Sequence, residues 1–130
     1  LDALARGDRL KVSEQARGSP VHVAEVARVI HGILDQIGAG ASRSGLYHYS
    51  GIGEVNAYSF METVLANASQ YAPFREAREL MELNKNETER MTSLSLDCAQ
   101  IRQQFGIQQL GWREFVPRAV QRYIELYIEE

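Results

Sequence analysis

The sequence predicts a mixed α/β chain with few short strands and about four to five helices. Hydrophobic residues make up 45% of its 130 residues and charged ones 24%, a balance that folds rather than staying disordered. Short alternating runs take turns with longer stretches whose apolar residues recur at spacings of three and four. Glycine and proline punctuate between them, at Gly7, Gly18 with Pro20, Gly38, Gly51 with Gly53, and Gly106. The length fits one domain or a large piece of one, able to bury about two-thirds of its unfolded surface.

Taken in order, "LDALARGDRL" reads as the tail of a helix ending at Gly7. A domain rarely begins inside a helix, so residues upstream of Leu1 are expected. Arg9 to Gln15 alternates Leu10 and Val12 with polar residues and reads as a short strand. "ARGSP" reads as a turn, with Ser19 capping the next helix and Pro20 in its first turn. That helix, "VHVAEVARVIHGILDQI", carries an apolar stripe of Val23, Val26, Ala27, Ile30, Ile33, Leu34 and Ile37, expected to face the core. Gly38 ends it, and a flexible link leads to "LYHY", a strand candidate broken by Gly51 and Gly53.

Asn56 can cap the following helix, whose Phe60, Val64, Leu65 and Ala68 share a face. Pro73 to Glu89 is polar, with a short helix near Ala77 to Leu83, and reads as a surface excursion. Leu94 and Leu96 alternate in an extended segment, Asp97 is placed to cap "AQIRQQF", and Gly106 stops that helix. "WREFVPRAVQRYIELYIEE", from Trp112, reads as the last helix, with Phe115, Ala119, Tyr123 and Leu126 as its stripe and Pro117 near its start or kinking it.

Net charge is −3, and only Lys11 and Lys85 are lysines, so no basic nucleic-acid surface is expected. No apolar run approaches the roughly 20 residues of a membrane span, and the charged N-terminal stretch is not a signal peptide. The single cysteine, Cys98, excludes an internal disulfide framework and fits a reducing cytoplasm. Its apolar neighbours mark a buried, inert thiol.

The G-x-G of "GLYHYSGIGE" raises the question of a nucleotide loop. A dinucleotide fingerprint needs a third glycine for close helix packing, and Asn56 stands there. The glycines therefore read as a tight turn into a helix. His22 and His31 lie nine apart, on opposite sides of a helix, and His48 is isolated between tyrosines, so no shared metal site is expected. Glu76/Glu79 and Glu129/Glu130 read as solvated faces. Neither lysine stands four residues after a tyrosine, so the proton-donating pair of short-chain reductases is missing.

Four pieces in order, "VSEQARGSPVHVAEVARVI", "GLYHYSGIGEVNAYSF", "LSLDCAQIRQQFGI" and "WREFVPRAV", resemble the C-terminal half of the dTDP-4-dehydrorhamnose reductase family. These are extended short-chain dehydrogenase/reductases, and the resemblance runs from about Ala5 to Val120. It implies that residues 1–130 are a C-terminal sugar-nucleotide-binding portion. An N-terminal Rossmann half, absent from this chain, would carry the glycine fingerprint, the Tyr-x-x-x-Lys pair and NADPH or NADH. No catalytic residue, cofactor site or metal site falls in this chain, and no turnover is expected from it alone. The expected partner is a dTDP-sugar, with a homodimer compatible, no nucleic acid and no membrane.

The family's Gln-x-Gly-Ser-Pro stretch is similar to Gln15 through Gly18, Ser19 and Pro20, with one extra residue here. The residues that follow depart: Val21 and His22 replace threonine and tyrosine, and Glu25 replaces aspartate. The family's Arg-Pro-x-Asn-Ser-x-Leu-Asp pattern resembles Arg90 to Asp97, with Met91, Ser93 and Leu94 departing. The resemblance implies that Arg90 meets the substrate diphosphate, where a guanidinium fork suits phosphate oxygens. Other members of the superfamily, non-catalytic regulatory subunits such as the β subunit of methionine adenosyltransferase and nucleotide-sugar epimerases or dehydratases, are the alternative readings. A surface module unrelated to sugars is a further one.

Overall fold

The computed structural model describes residues 1–84 and 92–128. Among these it shows five α-helices, three single-turn 3-10 helices and short strands in two small sheets, the mixed α/β class expected.

Helix α1 (Asp2–Ala5) is a stub whose chain turns away at Gly7, at a φ of +82°. Strand β1 (Leu10–Val12) buries Val12 and lies parallel to β4 (Met81–Leu83), with Leu10 opposite Met81. In the second sheet β2 (Ala16–Gly18) is central. β3 (Val55–Asn56) flanks it antiparallel and β5 (Thr92–Ser93) parallel. The expected turn at "ARGSP" is therefore a strand. Its register is fixed from both sides, Arg17 facing Asn56 and Ser93, so pairing outweighs the local turn signal of Gly18 and Pro20.

Helix α2 (Val23–Gly38) starts later than expected. His22, not Ser19, caps it: the Ala24 N–H donates to His22 Nδ1 at 3.1 Å, while Ser19 Oγ lies 3.0 Å from Ser95 Oγ. The orientation of α2 also differs. Glu25 and Val29 are buried, and Ile33 packs inward, but Val23, Ile30, Leu34 and Ile37 are between 50% and 78% exposed. The apolar stripe read as a core face is an open face, because Glu25 and Gln36 anchor the opposite side to the chain. Gln36 Nε2 donates to the Phe105 carbonyl at 2.8 Å.

The "LYHY" stretch is not a strand and joins no ladder among the described residues. Tyr47 and Tyr49 instead pack against Val29, Cys98, Ile101, Phe105 and Ile107, a small second core between α2 and α4 (Ala99–Phe105). Cys98, not Asp97, is the N-cap of α4 and makes no side-chain cap bond. Asp97, one residue earlier, still accepts from the Ala99 N–H at 2.9 Å, and Gly106 closes α4 at φ +66° as expected.

The main core gathers Leu4, Val12, Leu65, Phe74, Met81, Trp112 and the buried edge of α5. Helix α3 (Ala57–Ala68) supplies Leu65 and Ala68, and Asn56 Oδ1 caps it by accepting from the Ser59 N–H at 2.7 Å. Phe74 and Ala77 belong to two 3-10 turns (Ala72–Phe74 and Ala77–Leu80), which with β4 insert them and Met81 into the core. The stretch from Pro73 is thus core-forming as far as Asn84, not a surface excursion. Its remainder, to Glu89, lies outside the described residues.

Helix α5 (Val116–Tyr127) has Pro117 in its first turn, following a 3-10 turn at Trp112–Glu114. It buries Val116, Val120 and Ile124 rather than the expected set one position away. Phe115, Ala119 and Tyr123 flank this edge and are half-buried, while Leu126 is exposed.

Candidate functional site

The sheet β3-β2-β5 meets the start of α3 in an open groove of about 370 Å³. Strand β2 and its continuation to Pro20 form one side. Val55, Asn56, Ala57 and Phe60 form another, and Leu94 completes it. Pro20 and Phe60 also border a smaller apolar pocket of about 90 Å³ under Trp112 and Phe115.

Of the residues singled out from the sequence, Gly18, Ser19 and Pro20 line the groove together. Gln15 does not; its backbone N–H donates to Ser13 Oγ at 3.0 Å, shaping the approach to β2. Arg90 lies outside the described residues. Gly18 needs no special space, since a Cβ there would meet Leu94 Cβ at an ordinary 3.9 Å.

The glycine turn backs this wall. A Cβ on Gly51 would stand 2.0 Å from the Pro20 carbonyl oxygen, so only glycine lets the two backbones approach. Gly53 turns the chain at φ +84°. Gln109 Nε2 donates to the Ser50 and Gly51 carbonyls at 3.0 and 3.2 Å, and the Ile52 N–H to Leu110 O at 3.0 Å. At Gly51 the turn is closed against the Pro20 backbone, which leaves no room there for a dinucleotide pyrophosphate.

A buried polar network fixes the other side of the turn. Glu25 accepts from Arg28 Nε at 2.9 Å and from the Tyr49 hydroxyl at 2.6 Å. Arg28's bonds hold the Glu25 carboxyl below the usual range against the opposing pull of burial. Burial, then the bond to Glu25, pushes the Tyr49 phenol up to about 12. The network ties α2 to the segment that carries Gly51.

At the rim, Glu54 accepts from the hydroxyls of Ser93 and Ser95, the latter at 3.0 Å. These bonds hold its carboxyl below the ordinary value, and the charge of Arg17 adds a smaller pull. Arg17 lines the groove, and its Nε is shielded from solvent with no hydrogen-bond partner among the described residues.

The histidines do other things. His22 stacks on Phe115 at 5.6 Å between ring centroids, His31 pairs with Asp35 at 3.0 Å, and His48 is exposed. Among the described residues no three His, Cys, Asp or Glu side chains are grouped to hold a metal. Cys98 is buried, 3.6 Å from Ser50 Oγ. Nor is any described helix long and apolar enough to cross a membrane.

Hydroxyls, an amide and one guanidinium around an apolar floor are the kinds of group with which a groove can bind and orient a small molecule. The scaffold and groove are those of a small-molecule-binding domain of mixed α/β type. The chain belongs to the RmlD substrate binding domain family, that of dTDP-4-dehydrorhamnose reductases, whose family model matches residues 1–125. Enzymes of this family depend on NAD(P). No curated protein matches the chain.

Arg17, Val55, Asn56 and Phe60 were not singled out as site residues from the sequence. Arg17 stands inside "ARGSP", but as a turn residue it has no face to occupy. Val55 and Asn56 reach the groove only because β3 pairs with β2, a long-range event with no local signature.

Proposed function

We propose that this chain is the substrate-binding portion of an NAD(P)-dependent sugar-nucleotide reductase, and that the full-length protein reduces dTDP-4-dehydrorhamnose to dTDP-rhamnose. The observation that carries this is the groove itself: in a chain of this family, the Gly18-Ser19-Pro20 stretch lies in its wall. The apolar floor at Phe60 and Val55 and the polar rim suit a ligand with a ring at one end and phosphates at the other. Arg90, by its resemblance to the family pattern, is the proposed contact for the diphosphate.

The chemistry then belongs to a preceding Rossmann half, which supplies hydride and the Tyr-x-x-x-Lys proton donor. The turn closed at Gly51 by the Pro20 backbone does not fit a dinucleotide, so no step is assigned to this chain beyond holding and orienting the sugar nucleotide. The open face of α2 supports the same division. Val23, Ala27, Ile30, Leu34 and Ile37 follow each other at spacings of four and three, a continuous apolar seam. A patch of this kind marks a contact surface, and the Rossmann half is its occupant in this reading.

The test is calorimetric titration of dTDP and dTDP-rhamnose into the purified chain, with thermal unfolding alongside. Both should bind and stabilise, by about 2.7 kcal/mol at a hundredfold excess over Kd. Absence of heat and of any thermal shift with either ligand defeats the proposal.

A further inference from the structure

We infer that Arg17 is a phosphate-binding residue of the groove, fixing an anionic oxygen cluster of the ligand beside the start of α3. The inference deepens the sugar-nucleotide reading and rests on it for the identity of the ligand, but not for the anion contact itself.

Arg17 occupies the middle of the central strand, opposite Asn56 on one side and Ser93 on the other. Directly opposed residues in a sheet project to the same face, so Arg17 shares a face with the residue that caps α3. Its strand backbone is pinned: the Leu94 N–H donates to its carbonyl at 2.9 Å. Arg17 is the one charged residue lining the groove among the described residues.

The guanidinium is also poised. Its Nε is shielded from solvent and lacks a partner, although a buried N–H of a charged group is costly to leave unpaired. Among the described residues Arg17 forms no ion pair. The nearby carboxylate, Glu54, is occupied by the hydroxyls of Ser93 and Ser95 and feels Arg17 only through its charge. A cation held on a pinned strand, with its natural anion engaged elsewhere, is organised for an external one. Phosphate matches the guanidinium fork. Asn56 and Ala57, in the groove wall, are the positive end of the twelve-residue helix α3 and favour the same charge.

The experiment compares wild type with Arg17→Met, Arg17→Lys, Glu54→Gln and Arg90→Ala, titrated with pyrophosphate, dTDP and thymidine. Circular dichroism confirms that each variant is folded. A charged hydrogen-bonded contact contributes about 1.5–3 kcal/mol, so Arg17→Met should weaken dTDP and pyrophosphate about 10- to 100-fold. Arg17→Lys, which keeps the charge without the fork, should lose less, and thymidine binding should not change. Glu54→Gln, which removes the opposing charge, should tighten pyrophosphate even if Arg17→Met proves unstable.

Wild-type affinity for dTDP in both Arg17 variants overturns the inference and leaves the sugar-nucleotide reading standing. Pyrophosphate binding that depends on Arg17, without any gain from the thymidine moiety, sinks the sugar-nucleotide reading and keeps the phosphate contact. Failure of wild type to bind either anion, or weaker pyrophosphate binding in Glu54→Gln, overturns the inference directly. If the effect appears only in Arg90→Ala, the phosphate contact belongs there and not to Arg17.

Discussion

Gly51→Ala is the substitution in which the fold and the site can be tested together. A methyl group there would lie 2.0 Å from the Pro20 carbonyl oxygen and 3.1 Å from its carbon, whereas ordinary contact begins at 3.4 Å. Two backbones must separate by more than an ångström, and neither is a flexible side-chain end. Over-packing in a tight interior costs about 1–3 kcal/mol, and rigid neighbours place this case at the top of that range. Separation would also stretch the bonds from Gln109 and between Ile52 and Leu110, each worth about 1 kcal/mol. A loss of about 3–5 kcal/mol follows, roughly 10–20 °C in midpoint for a domain of this size. Since Pro20 lines the groove, dTDP affinity should fall in the fraction that stays folded.

Two other glycines separate crowding from backbone conformation. Gly53→Ala meets nothing within 4 Å but must hold φ +84°, so it should cost only about 1–2 kcal/mol. Gly32→Ala, inside α2 with open space around it, should be neutral or stabilising by up to about 1 kcal/mol. Urea unfolding followed by circular dichroism ranks the three. If Gly51→Ala is as stable as wild type, or less damaged than Gly53→Ala, the close approach to Pro20 is not real and the backing of the groove wall has been misread.

The α2 face gives a second prediction. Ile30→Asp with Leu34→Asp should leave the stability of this chain within about 0.5 kcal/mol per site, as for exposed positions, yet destabilise a protein that also carries the Rossmann half. Equal tolerance in both would remove the assigned occupant, and a dimer of this chain that the double variant dissociates in sedimentation would point to a second copy instead. A third concerns pH. The folded-state Glu25 carboxyl is held low, so its contribution is present above the unfolded value of about 4.3 and is lost as pH falls through the lower folded one. Glu25→Gln should flatten that acid limb. Tyr49 is the reverse: raised to about 12, it contributes below about 10 and loses that contribution as pH rises towards 12. Tyr49→Phe should remove this alkaline limb; unchanged limbs in both variants would mean that the network around Glu25 is not formed.

What could be read from the sequence was what a single segment decides for itself. The Asn56 cap and the Gly106 stop depend on residues within one turn, and both form; Asp97 bonds the first helical N–H of α4 from one residue ahead of the cap. The face of α3 was legible because Leu65 and Ala68 are both apolar and buried. Helix α5 shows the limit. Phe115, Ala119, Tyr123 and Leu126 make a stripe as regular as Val116, Val120 and Ile124, and only packing against α3 and Trp112 selects between them. Helix α2 shows another. Its apolar periodicity reports that a face is to be covered, but not by what, and the described chain leaves it open. Gly18, Ser19 and Pro20 were located through a family resemblance. Arg17 and Val55 needed the pairing of β2 with β3, which no local pattern encodes.

The most direct test of the substrate-binding assignment is a titration of isotope-labelled chain with dTDP-rhamnose, following backbone amide resonances. Shifts should concentrate at Arg17, Gly18, Ser19, Val55, Ala57 and Leu94 and saturate together. Shifts confined to the separate hollow of about 410 Å³ beside His22, Glu114 and Arg118, or spectra unchanged at saturating ligand, would contradict it.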